Sequence, residues 1–227
     1  GYSVIDGGSV LTGSSGLYGW NGRKPYHSIN FITVHDGFTM YDLFSYNEKQ
    51  NDCGLLNPVC CQTPLSVWCD TNSGEDHNRS RDWGSNNEPF KRQLMRNLFA
   101  GMMISYGSPL ILGGDEWMRT KYGNNNSYYI QADNEWNWFR WGEWKSETNL
   151  YRTRMHDFVR DMIQFRKDRD YAFVPTEHGG GMPFSWKNPS NYDMSGSDWS
   201  SKAVMMHYYN NADTDYNGNG IEDSIEF

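Results

Sequence analysis

Two short apolar runs, each stopped by a polar cluster, constrain this chain more than any other feature. The first is Ile29-Asn30-Phe31-Ile32-Thr33-Val34, β-branched and aromatic, halted at His35-Asp36-Gly37. The second is Ser108-Pro109-Leu110-Ile111-Leu112, halted at Gly113-Gly114-Asp115-Glu116. Between them Phe90, Leu94, Leu98, Phe99, Met102 and Met103 recur at helical spacing, with Gly107 in the stop position. After them Met155, Phe158, Val159, Met162, Ile163 and Phe165 repeat that period and predict a helix over 151–169. Strand, loop, helix, strand, loop, helix is the grammar of a parallel α/β domain, because parallel neighbours need a long crossover and the helix covers the sheet. Both strands are predicted to be buried, with their polar clusters at the carboxyl ends, where ligands meet parallel sheets.

The rest of the chain fits around this frame. Residues 1–28 are rich in Gly and Ser and read as loop with a short helix, and Tyr41-Asp42-Leu43-Phe44-Ser45-Tyr46-Asn47 as another short helix. Residues 48–88 form a long irregular stretch, of a length that is normally functional or disordered. Residues 117–144 are a ring-rich loop. After Tyr171 the pattern changes to Gly, Pro and Ser around the strand-like Ala203-Val204-Met205-Met206-His207-Tyr208-Tyr209, so a β-type domain is expected to begin there. The opening Gly1-Tyr2-Ser3-Val4 and closing Ser224-Ile225-Glu226-Phe227 read as cut ends, and the expectation is a segment of a longer polypeptide.

Charge narrows the partners. With 28 Asp+Glu against 20 Lys+Arg the net charge is −8, which disfavours a general grip on nucleic-acid phosphates or an anionic membrane. No window approaches the roughly 20 apolar residues of a spanning helix. Cys53, Cys60, Cys61 and Cys69 fall in one Pro/Asn/Gly-rich stretch without a C-x-x-C step, which favours reduced or loop-stapling cysteines over zinc. A cytoplasmic location is expected ahead of secretion. Near the end, Asp215, Asn217, Asn219, Gly220 and Glu226 fit D-x-[DN]-x-[DN]-G-x5-E, an oxygen-ligand spacing that raises a structural calcium. Acidic hairpin turns of β domains have the same composition.

Val34-His35-Asp36 places an imidazole and a carboxylate at the mouth of the first strand. The carboxylate could accept hydrogen bonds from two sugar hydroxyls and stabilise an oxocarbenium-like transition state. The alternative is an Asp capping the next helix with a His packed beneath it. Asp115 and Glu116 are adjacent, so their side chains diverge and do not readily flank one bond; a structural role, pairing with Arg119 or closing the barrel, is favoured. Rings and amides interleave in Tyr122-Gly123-Asn124-Asn125-Asn126-Ser127-Tyr128-Tyr129 and in Asp133-Asn134-Glu135-Trp136-Asn137-Trp138-Phe139-Arg140-Trp141. Aromatic faces pack on sugar C–H faces while Asn and Asp read hydroxyls. Core packing claims part of these rings, and the segment Ser73-Gly74-Glu75-Asp76-His77-Asn78-Arg79 reads as solvated loop or substrate rim.

As a set these motifs resemble the isoamylase and glycogen-debranching branch of the α-amylase superfamily. The resemblance rests on Ile32-Thr33-Val34-His35-Asp36-Gly37-Phe38-Thr39 with Asp42-Leu43 and Tyr46-Asn47, then Asn78-Arg79-Ser80. It continues through Gly107-Ser108-Pro109, Leu112-Gly113-Gly114-Asp115-Glu116 and Arg119 to Gly123-Asn124-Asn125-Asn126, Tyr129 and Asp133-Asn134, in matching order over residues 17–169. It implies that residues 1–172 are the C-terminal portion of a (β/α)8 TIM barrel and residues 173–227 the beginning of an all-β C-terminal domain of sandwich type. The implied activity is retaining hydrolysis of α-1,6 branch linkages in α-glucans such as glycogen, starch or limit dextrin, with no cofactor required and neither nucleic acid nor membrane as partner. By resemblance Asp36 is the transition-state stabiliser and His35 a substrate ligand. Asn78, Arg79, Asn124, Asn125 and Asn126 line the cleft.

The family's nucleophile segment, of the form Gly-Phe-Arg-Phe-Asp, has no match here, nor does its acid/base segment. Both are expected upstream of Gly1, so the isolated segment is expected to be inactive. Retaining chemistry needs two carboxyls roughly 5–5.5 Å apart, and Asp36 is the third, assisting one. Rival readings are a catalytically inactive α-glucan-binding protein on the same barrel, and transglycosylation or α-1,4 cleavage.

Overall fold

The computed structural model describes residues 4–51, 73–83, 87–127, 137–144, 150–178, 184–196, 198–200, 203–209 and 224–226. The four cysteines, the calcium-type positions Asp215, Asn217 and Asn219, and the ring-and-amide positions Tyr128, Tyr129, Asp133 and Asn134 lie outside the described residues. Of the calcium-type set only Glu226 is described, and only as backbone. The main elements are α1 (Val4–Leu11), β1 (Ile29–Asn30), α2 (Met40–Leu43), α3 (Glu88–Ile104) and β2 (Ser108–Pro109). These are followed by α4 (Leu150–Asp168), β3 (Phe184–Lys187), β4 (Met205–Tyr209) and β5 (Ser224–Glu226). Among the described residues no helix is long and apolar enough to cross a membrane.

The chain divides into two compact units. One comprises Gly1–Asn30, Gly101–Leu110 and Ile163–Phe227; the other comprises Phe31–Ala100 and Ile111–Met162.

In the first unit β1 and β2 pair in parallel, Ile29 with Ser108 and Asn30 with Pro109. The parallel pairing agrees with the sequence, but the expected six-residue buried strand does not form. Ile29 is 60% and Phe31 54% exposed. Pro109 has no N–H to give the ladder, which is carried by Ser108 N–H to Ser28 O at 2.7 Å and Leu110 N–H to Asn30 O at 2.8 Å. Gly107 sits at φ +112°, and a Cβ there would strike Ser28 O, so the entry to β2 requires glycine. The core gathers Tyr106, Ala172, Phe173, Met206 and Tyr208, with Leu11, Ile104, Phe165, Phe184 and Trp186 packed against it. Its rings meet edge to face, Tyr106 on Tyr208 at 5.6 Å and Phe173 on Tyr208 at 5.3 Å, the arrangement their quadrupoles favour. The strand expected around residues 203–209 is β4, central in an antiparallel sheet of order β3-β4-β5.

In the second unit α3 buries Met95 and Phe99, while Phe90, Leu94 and Leu98 are only partly covered. Of the expected face Phe99, Met102 and Met103 are buried, and Lys91 and Arg92 are buried as well. The Lys91 ammonium bonds Ser45 Oγ at 3.1 Å and sits 5.2 Å from the Tyr41 ring centroid; Arg92 stacks over Tyr151 at 3.8 Å. Helix α4 buries Met155 and Val159, as its period predicts.

Candidate active site

The second unit carries the His35-Asp36-Gly37 turn. Gly37 has φ +96° with open space around its missing side chain, so backbone conformation rather than crowding selects glycine. The turn is held at both ends by the segment that follows β2. Lys121 Nζ donates to His35 O at 3.3 Å, and Gly37 N–H donates to Asn125 O at 2.9 Å. His35 Nε2 lies 3.5 Å from Asp36 Oδ2, and their side chains are 80% and 63% exposed. The capping alternative does not hold. Helix α2 is capped by Thr39, whose Oγ1 accepts from Asp42 N–H at 3.2 Å, and His35 is exposed rather than packed beneath.

Besides Lys91 and Arg92 of α3, the described residues of this unit bury the charged side chains of Asp42, Asp115, Arg119 and Lys121. Asp42 accepts from Thr120 Oγ1 at 2.5 Å, Lys121 N–H at 2.8 Å and Gly123 N–H at 3.4 Å. Burial pushes its carboxyl above the usual range, and those hydrogen bonds pull it back. Asp115 accepts from Thr33 Oγ1 and from Met40 N–H at 2.9 Å. Its pKa is raised to about 7, chiefly by desolvation. The structural role expected for Asp115 is therefore made with Thr33 and Met40, while Arg119 lends a favourable charge and donates to Asn137 O at 2.9 Å. Burial lowers the Lys121 pKa, Arg119 lowers it further, and Asp42, Asp115 and Asp36 oppose that. Glu116 Oε2 accepts Gly114 N–H at 2.8 Å, which binds it to its own turn.

Residues 73–79 form the adjoining loop. Lys49 Nζ donates to Ser73 O at 2.9 Å and Gly74 O at 3.0 Å, and meets Asp76 Oδ1 at 2.6 Å. Asn125 joins this loop to the His35 turn: its Nδ2 donates to Glu75 O at 2.9 Å and Asn78 Oδ1 at 3.1 Å. Asn126 Nδ2 donates to Ser73 Oγ at 2.5 Å. Asn78 is half-buried and Arg79 exposed.

The candidates of the sequence therefore separate into two groups. His35, Asp36 and Arg79 reach solvent. Asn124 and Asn125, expected on the cleft wall, are 2% and 1% exposed. Asn124 Oδ1 accepts Asn126 N–H at 2.8 Å, and the Asn125 amide bonds Asn51, Glu75 and Asn78, so in this structure both side chains hold the loops together. Trp138 and Trp141 are 52% and 58% exposed, Phe139 packs on Trp141 at 4.0 Å, and the Arg140 guanidinium lies 5.9 Å from the ring of exposed Tyr122. Lys49, Asn51 and Lys121 were missed because their partners are tens of residues away; the one local signal was two lysines and an asparagine in otherwise polar loops.

The second unit thus presents an exposed carboxylate–imidazole pair over a buried polar scaffold and, elsewhere on its surface, the exposed rings of Tyr122, Trp138 and Trp141. Comparison with protein-family models finds no match. The chain is 36% identical over 201 residues to the glycogen operon protein GlgX homolog of Mycobacterium tuberculosis strain H37Rv, covering 84% of this chain and 26% of the relative. It is 39% identical over 171 residues to an isoamylase of a Flavobacterium species, covering 74% of this chain and 19% of the relative. Against isoamylase SU1 of Zea mays it is 40% identical over 166 residues, covering 70% and 18%. A solved pullulanase from Bacillus acidopullulyticus superposes with a TM-score of 0.50 at 20% identity, over 91% of this chain and 21% of that one, a likeness of fold alone. The chain belongs to the isoamylase and glycogen-debranching family and spans about a quarter or less of the length of these curated relatives.

Proposed function

We propose that this chain provides the transition-state-stabilising part of a retaining glycosidase that hydrolyses α-1,6 branch linkages in α-glucans. In this reading residues 1–172 are the C-terminal part of a β/α barrel and residues 173–227 begin a β domain. Asp36 accepts hydrogen bonds from ring hydroxyls at the cleavage point, its negative charge opposing the positive charge that develops at the anomeric carbon. His35 is a donor to the same sugar, Arg79 and Asn78 form the rim, and the exposed rings of Trp138 and Trp141 offer stacking faces. The nucleophile and the acid/base are assigned to no residue of this chain, and Glu116, whose Oε2 accepts Gly114 N–H within its own turn, is given neither role.

The observation that supports this reading best is the exposure of the His35–Asp36 pair while α2 takes its cap from Thr39, which leaves capping of that helix to another residue than Asp36. The test uses the protein at its full encoded length. Asp36→Asn keeps the shape of the side chain and removes its charge. Turnover of a branched α-glucan should fall by at least about 100-fold, with little change in melting temperature because the side chain is exposed. Near-normal turnover in that variant would refute the role of Asp36. Glucan binding without turnover in the unmodified protein would favour a non-catalytic glucan-binding protein instead.

A further inference from the structure

Asn51 and Asn125, 74 residues apart, face each other through their amides. Asn51 Nδ2 donates to Asn125 Oδ1 at 2.7 Å, and Asn125 N–H donates to Asn51 Oδ1 at 3.0 Å. Both are almost fully buried, at 2% and 1% exposure, so each bond is made where water cannot replace it. The second amide proton of Asn51 goes to Ser73 O at 2.7 Å, and the two of Asn125 go to Glu75 O and Asn78 Oδ1. Every donor of the two side-chain amides is used. The backbone carbonyl of Asn125 then receives Gly37 N–H, the residue next to Asp36. Gly74, at φ +80°, passes so close that a Cβ there would run into Asn125 Oδ1 and Asn126 Cβ. The loop therefore has one way to lie against the clasp.

We infer that the Asn51–Asn125 clasp is a positioning device that sets the His35-Asp36-Gly37 turn and the Asn78–Arg79 rim as one body. The inference rests on the assignment of Asp36 above. Asn51 touches no sugar in this arrangement; it acts through Asn125, whose carbonyl fixes the turn and whose amide fixes the rim. The two consequences are separable in kinetics. A displaced Asp36 lowers kcat, because its charge must meet a transition state at a fixed place. A displaced rim raises KM.

The experiment compares Asn51→Ala, which removes both bonds to Asn125 and the one to Ser73 O, with Met95→Ala, a fully buried position on α3 that serves as a control for general destabilisation. Both are made in the full-length protein and assayed on a branched α-glucan well below either melting temperature. Asn51→Ala should lower kcat at least tenfold and raise KM severalfold, whereas Met95→Ala should leave both within twofold at an equal or greater loss in melting temperature. Asn51→Asp, which keeps the acceptor for Asn125 N–H but buries a carboxylate oxygen against Asn125 Oδ1 and Ser73 O, should be impaired at least as much as Asn51→Ala. Kinetics of Asn51→Ala no worse than those of Met95→Ala would overturn the inference. So would failure of both Asn51 variants to fold, which would make the clasp a folding element only. Asp36→Asn run in parallel separates the two ideas: its retained turnover sinks the functional reading, while its loss beside an undisturbed Asn51→Ala sinks the clasp alone.

Discussion

Asp115 keeps a carboxyl group in a place where ionisation is costly, and that cost has a sign that can be measured. Its pKa lies at about 7 in the folded protein against an ordinary 3.8, with desolvation the largest cause and Glu116 and Asp42 adding to it. Below pH 4 the carboxyl is protonated folded or unfolded, and the favourable neutral form is fully present. Between about 4 and 7 the unfolded chain gives up its proton while the folded protein retains it, so unfolding becomes easier as pH rises. Above 7 the folded protein carries a buried charge. Asp115→Asn is neutral throughout and can keep both partners, accepting from Met40 N–H and donating to a reoriented Thr33 hydroxyl. The stability of the variant relative to wild type should therefore climb as pH rises from 4.5 to 7.5, by at most about 1.4 kcal/mol per pH unit. Urea unfolding of both proteins at pH 5 and pH 7.5 measures this, and parallel pH profiles would contradict the assignment.

Among the elements, Arg166 of α4 closes the end of α3. Its guanidinium donates to the carbonyls of Met103, Ser105, Gly107 and Phe173, all in the first unit. The last carbonyls of a helix have no intrahelical partner, and the planar fork satisfies that of Met103 together with those of Ser105 and Gly107 just past the helix end and that of Phe173. Arg166→Lys retains the charge but cannot reach four acceptors from a single ammonium, and should cost about 1.5–3 kcal/mol. A urea midpoint unchanged in Arg166→Lys would show that the fork is dispensable. None of this was legible locally, since Arg166 is one basic residue among several near the end of a helix. What was legible were α3 and α4, because their apolar residues recur over four or more turns and a period of that length has one interpretation. The strand at residues 29–34 failed for the opposite reason: a short apolar run does not say how much of it finds a partner, and here only Ile29 and Asn30 are paired, with Ser108 and Pro109. The site divides in the same way. His35 and Asp36 stand out as a motif, whereas Lys49, Asn51 and Lys121 matter through partners 22 to 86 residues away, a separation no pattern along the chain encodes.

For the whole molecule the governing quantity is charge. At −8 the chain would repel a polyanion, while a glucan carries no charge for that field to act on. The groups that shape the proposed site electrostatically, Asp42, Asp115, Arg119 and Lys121, are buried and little screened by salt, so the site should keep its geometry as ionic strength rises. Recognition by stacking and hydrogen bonds to hydroxyls releases no counterions. A protein that binds through six to ten phosphate contacts loses roughly 10³–10⁵ in affinity between 50 and 200 mM salt. The full-length protein acting on a neutral branched glucan should instead show a KM that changes by less than about twofold between 50 and 500 mM sodium chloride, since no phosphate-type contacts are lost. Steady-state kinetics across that range on glycogen are the measurement. A KM that rises tenfold or more with salt, with the melting temperature unchanged, would mean that the true ligand is charged, and would remove the neutral glucan from the reading of this site.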